Sequence, residues 1–163
     1  MMPPSQWLAT FGGVGLLRLA PGTWGSAAAV ALAWPIHALG GFPALAAATI
    51  VVTITGTWAT ARTIEATGDH DPSQVVVDEV AGQWLALWPL SFGLWHASQD
   101  PWLFPWPGWV FGFALFRLFD IWKPGPIGWA DRRGTAWGVM LDDLLAGVAA
   151  GAVLAAGAAI AHG

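Results

Sequence analysis

The sequence has no cysteine and no tyrosine, only one lysine, and only 16 charged side chains in 163 residues. Each scarcity excludes something. Without cysteine there is no disulfide scaffold, and redox compartment cannot be read from it. One lysine and a net charge of −4 argue against nucleic-acid binding. A charged share of 10% is well under the roughly 25% of an average soluble domain. A soluble globule of this length could not cover its surface with so few charges without exposing large apolar patches. What is present instead is 56% hydrophobic residues and thirteen tryptophans, a residue favoured where an apolar interior meets water. The chain reads as one membrane domain, residues 1–163.

Charge-free runs measure the crossings, each of which needs about 20 apolar residues to pass a hydrocarbon core about 30 Å thick. Between Arg18 and Arg62 lie 43 uncharged residues, enough for two crossings joined at Gly40-Gly41-Phe42-Pro43. Glu79 to Asp100 encloses 20, and 20 more follow Asp143. A fourth segment is shorter. Pro101, Pro105, Pro107 and Gly108 predict no regular helix before about Trp109, and a helix from there to Trp122 spans roughly 21 Å. The expectation is an all-α, compact integral membrane bundle of four to five helices: Trp24–Leu39, Phe42–Ala61, Val80–Ala97, Trp109–Phe119 and Val139–Ala161.

Alternating the loops puts all six basic residues on one side, as expected of a cytoplasmic face. The start, MMPPSQWL, has no basic region and does not read as a signal peptide. Nine of the ten acids fall on the same side, Asp100 being the exception. A charge inside hydrocarbon costs at least about 2.5–3.5 kcal/mol, so acids abutting apolar helices need partners, a metal or a wet cleft.

Asp78 and Glu79 open the helix VAGQWLAL, where ordinary capping is one reading, though one cap does not need two acids. Asp142 and Asp143 open the last apolar run. Arg117, Asp120 and Lys123 are spaced i, i+3, i+6 on one predicted helical stripe, either a salt-bridge ladder or a functional group of charges. Asp131-Arg132-Arg133 follows, and Arg133 is explained equally well as a positive-inside anchor. Paired carboxylates beside cations suit Mg²⁺, which takes oxygen ligands and substrate phosphate, with Arg and Lys holding phosphate oxygens. Four scattered histidines and no cysteine support no zinc site, and His70 reads as a loop residue. There is no P-loop, and Phe11–Gly15 lacks its context. Ala20–Ser26 is a turn before the first long helix, either simply capped or, through Thr23 and Ser26, an anion site.

Four ordered blocks, LATFGGVGLLRLAPGTWGS, GDHDPSQVVVDEVAGQW, FRLFDIWKPGPIGWADRR and GVMLDDLLAG, resemble the phosphatidylglycerophosphatase A family from about Leu8 to Gly147. The resemblance implies an all-α, Mg²⁺-dependent phosphatase of the bacterial inner membrane. Its substrate would be phosphatidylglycerophosphate, which it converts to phosphatidylglycerol. The family usually has Pro at position 18, an aromatic at 125 and Gly-Gly at 136–137, where this chain has Arg18, Gly125 and Ala136-Trp137. None of these departures removes an acid or a base.

A lipid phosphate sits at headgroup level, so the site belongs at the cytoplasmic helix ends. The expected catalytic residues are Asp78, Glu79, Asp142, Asp143 and Asp120. Phosphate would be held by Arg117, Lys123, Arg132 and Thr23, and metal by Asp78, Glu79, Asp142, Asp143 and Asp131. Partners are the phospholipid and the bilayer. Whether water or an aspartate attacks phosphorus stays open. The competing reading is a small cation or proton transporter. Other lipid-phosphate enzymes would show DGxxAR…GxxxDxxxD or PSGH, and neither occurs.

Overall fold

The computed structural model describes residues 2–162, and the described residues contain helices and no strand. In order they are α1 (Pro4–Ala9), a 3₁₀ turn (Val14–Leu16), α2 (Pro21–Thr67), α3 (Val77–Ala86), α4 (Trp88–His96), α5 (Trp106–Trp122), α6 (Pro126–Asp131) and α7 (Ala136–His162).

The long stretch α2 is broken at Gly41, whose backbone leaves the helical region (φ 64°, ψ −160°). Only glycine adopts that conformation cheaply, and Pro43 follows in the next turn. The chain reverses there. Gly25 and Gly56, nearly equidistant from Gly41, abut Val76 and Val77 respectively at the start of α3. The two crossings expected on either side of the Gly-Gly turn are therefore two antiparallel arms.

The expected third segment is divided. α3 and α4 meet at Leu87, because Pro89 in the first turn of α4 has no N–H to continue the ladder. Indole and imidazole groups tie this pair to α2: Trp84 Nε1 donates to the Ala29 carbonyl (2.8 Å), Trp88 Nε1 to Thr49 Oγ1 (3.1 Å), and His37 Nδ1 meets Ser91 Oγ (2.7 Å). The fourth segment corrects the expected boundary. α5 begins at Trp106, not near Trp109, since Pro107 falls in the first turn where no N–H is required. The short α1 and α6 were not anticipated; six residues each leave too little periodicity to read.

α2 and α7 are long and apolar enough to cross a membrane, and the outer surface is consistent with a membrane protein. Large apolar side chains such as Leu39, Ile54, Phe111, Leu118, Ile121 and Ile160 are exposed. Exposed tryptophans collect at both ends of the bundle, Trp24, Trp122, Trp129 and Trp137 at one and Trp95, Trp102 and Trp106 at the other.

The closest crossing is between α3 and α7. A Cβ on Gly82 would overlap the Asp143 carbonyl, and one on Gly147 would overlap the Gly82 backbone. Two glycines let the backbones touch, as small residues do at membrane helix interfaces. That contact brings the beginnings of the two helices together.

Candidate active site

The start of α3 carries Asp78 and Glu79 in its first turn, and α7 carries Asp142 and Asp143 in its second. Because α3 and α7 cross at Gly82, four residues beyond Asp78, the carboxylates of one helix face those of the other. One oxygen each from Asp78, Glu79 and Asp143 lie within 4.8 Å of one another. Asp78 and Asp143 are buried, and Asp78 Oδ1, Glu79 Oε2 and Asp143 Oδ2 have no hydrogen-bond partner in the protein. Carboxylates this close, with these oxygens unpartnered, are a group that could hold a cation.

Its neighbours are set by α5 and α2. Arg117 pairs with Asp120 across one helical turn, so that part of the predicted stripe is present, and both side chains are largely covered. The guanidinium Nε has no partner. Gly22, in the first turn of α2, lies where any side chain would strike Glu79 Oε1 and press on Arg117. The PGT turn thus reaches the carboxylates. Thr23 is half-buried beside Gly22, while Ser26 Oγ donates to the Gly22 carbonyl (2.9 Å) and is spent within its own helix.

Lys123 leaves the predicted stripe. It ends α5 in the left-handed region (φ 50°, ψ 52°), because Pro124 cannot continue the helix, and the change of direction turns it away from Arg117. Its ammonium instead holds Asp131 at the end of α6 and Asp142 of α7, the latter at 2.8 Å. Asp142 accepts from Lys123 at Oδ2 and from the Asp143 N–H at Oδ1 (2.9 Å). Both of its oxygens are therefore engaged, and Asp142 is turned aside from the Asp78–Glu79–Asp143 group.

The structure thus sorts the expected residues. Asp78, Glu79 and Asp143 come together, with Arg117 and Asp120 beside them. Asp131, Asp142 and Lys123 form an adjoining clamp. Arg132 follows α6 and is exposed, and Arg133 lies over the Trp129 ring at 4.2 Å, so neither is drawn into the carboxylate group. His70 is exposed in the loop between α2 and α3. One buried residue was missed. Gln83 is fully buried in α3, four residues beyond Glu79. Its signal was legible as the one amide inside the apolar run VAGQWLAL.

No solved structure matches the chain. A family model described as Phosphatidylglycerophosphatase A matches residues 7–158. The Phosphatidylglycerophosphatase A of Escherichia coli (strain K12) is 33% identical over 163 residues, covering 94% of this chain and 83% of the relative. That of Haemophilus influenzae is 33% identical over 150 residues, covering 91% and 85%. A Bacteroides thetaiotaomicron relative, 37% identical with 83% and 82% covered, carries a provisional phosphatidylinositol-3-phosphatase name. With a family match along nearly its whole length and two relatives of that name at one-third identity, the chain belongs to the phosphatidylglycerophosphatase A family, whose members are phosphoric monoester hydrolases.

Proposed function

We propose that the protein is a multi-pass enzyme of the bacterial cytoplasmic membrane. It hydrolyses phosphatidylglycerophosphate to phosphatidylglycerol and phosphate, with Mg²⁺, at a site facing the cytoplasm. The observation that carries this reading is the meeting of three partnerless carboxylate oxygens with a half-free arginine at one end of an apolar bundle. In α2, α3, α5 and α7 the site lies at helix ends, the level at which a membrane presents a lipid phosphate.

The donor set suits a hard divalent cation: three carboxylates, no nitrogen or sulfur ligand, and oxygens otherwise unsatisfied. Asp78, Glu79 and Asp143 would hold Mg²⁺. When bound, the ion supplies charge neutralisation for the phosphoryl oxygens and polarises the phosphorus toward attack.

The protein's own groups do the rest. Arg117 keeps one edge paired with Asp120, which fixes its plane and leaves the rest of the guanidinium to attract a phosphoryl oxygen. The first turn of α2 brings the Gly22 backbone next to that guanidinium, and the positive end of the helix is favourable for the same dianion. Lys123 holds Asp131 and Asp142 in place, which anchors the segment before α7 and so positions Asp143. Hydrolysis breaks the bond between phosphorus and the ester oxygen, the oxygen of water ends on phosphate, and the glycerol oxygen leaves with a proton. A transporter would place its ionisable groups along the helices, whereas here they gather at one end.

The test is phosphate release from phosphatidylglycerophosphate by detergent-purified protein, with Mg²⁺ and with a chelator, and with phosphatidylinositol-3-phosphate as competing substrate. Release should require the metal and favour phosphatidylglycerophosphate. Asp143→Asn should abolish turnover, a loss of at least about 10³-fold if it removes a charge needed in the transition state, in protein that still extracts as folded material. Full activity in chelator overturns the metal, and wild-type turnover in Asp143→Asn removes that residue from the chemistry.

A further inference from the structure

Gln83 is fully buried, and neither its Nε2 nor its Oε1 has a hydrogen-bond partner in the protein. It is the one side-chain amide among the described residues left orphaned at both ends. A buried polar group left unsatisfied is costly, and an amide carries two such groups. Four residues separate it from Glu79 on α3, which places the two on the same helical stripe with their Cβ atoms about 5–6 Å apart. Glu79 Oε2 is itself buried and unpartnered. Gly82, next to Gln83, packs on Phe116 and the Asp143 backbone, and Gly22 packs on Glu79, so α2, α5 and α7 close around this part of α3.

Three unsatisfied polar atoms, two from Gln83 and one from Glu79, thus share one turn of a buried helix. Internal waters typically make about three hydrogen bonds to such groups. Of the other orphaned donors, Trp34 Nε1, Thr60 Oγ1 and Trp109 Nε1 have no carboxylate one turn away, and Arg117 Nε belongs to a side chain already paired with Asp120.

We propose that Gln83 is a positioning residue of the active site: its amide, through an internal water, holds the free oxygen of Glu79 and so orients that carboxylate toward the cation. The inference rests on the site reading above and adds a layer beneath it. Groups that orient metal-binding carboxylates typically affect affinity by about 10–100-fold when removed.

The experiment measures Mn²⁺ binding by the full chain in detergent, from the electron paramagnetic resonance signal of free Mn²⁺, beside thermal unfolding and phosphate release. Gln83→Met removes the amide at similar volume. Met fills similar space, so the loss is confined to the water-mediated hydrogen bonds and its unfolding temperature should fall by no more than about a few degrees. Its Mn²⁺ affinity should fall about 10–100-fold, with kcat lowered at saturating lipid. Gln83→Asn, which keeps the amide, should recover part of that affinity. Wild-type Mn²⁺ affinity in Gln83→Met overturns the proposal. So does an equal loss in both variants accompanied by a larger fall in unfolding temperature, which identifies a packing role. If the wild-type chain itself binds no Mn²⁺, the reading of the site falls together with the inference.

Discussion

Lys123 stands at the junction of α5 and α6 facing Asp131 and Asp142. Partial burial draws its ammonium toward neutrality, but the hydrogen bonds and charges of the two carboxylates outweigh that and hold its pKa above the ordinary 10.5. A raised folded pKa stabilises the protein at every pH below the unfolded value, and the effect is lost only as pH climbs through the folded one. Lys123 therefore keeps its charge across physiological pH. Lys123→Met should cost about 1.5–3 kcal/mol, the range for hydrogen bonds to charged groups. Part of that should return when Asp131→Asn is added, because the stranded carboxylate is then neutral. Thermal unfolding of the two single variants and the double variant checks this, and strictly additive effects would show the pair uncoupled. The i, i+3, i+6 spacing pointed Lys123 at Arg117's stripe. The left-handed residue before Pro124 redirects it, and that change of direction is set by one backbone torsion.

Among the elements, the crossing of α3 over α7 determines the site. Its tightness depends on Gly82 and Gly147, where a Cβ has no room. Gly82→Ala should force the helices apart, costing about 1–3 kcal/mol as overpacking does, and should lower turnover more than tenfold by separating Asp143 from Asp78. Gly157→Ala, further along α7 where a Cβ meets nothing within 4 Å, should leave turnover unchanged and stability equal or slightly higher. Unfolding temperature and phosphate release measured on both variants decide it. If Gly82→Ala keeps wild-type activity, the close crossing is not what positions the carboxylates. The long helices were legible because a run of uncharged residues is itself a length measurement. The division at Leu87 and the short α6 were not, since Pro89 allows either a kink or a first turn and six residues show no period.

At the scale of the whole molecule, the apolar surface has tryptophans at both ends and all its charges but Asp100 at one. With the charged end in the cytoplasm, Gln99→Cys, in the loop between α4 and α5, should react with a membrane-impermeant maleimide on intact spheroplasts. Ser73→Cys, in the loop between α2 and α3, should react only after lysis. The absence of native cysteine makes each label unambiguous. The opposite pattern would invert the proposed orientation. The sequence alone was enough for the membrane reading and for the gathering of charge at one end, because charges are expelled from hydrocarbon and their places along the chain mark the helix termini. It was not enough to separate Asp142 from Asp143. Adjacent residues on a helix point about 100° apart, so which acid joins Asp78 and Glu79 and which is held by Lys123 depends on how α7 is rotated against α3. That rotation follows from the contact of two glycine backbones and from a lysine brought in from another helix, and neither is visible until the helices are packed.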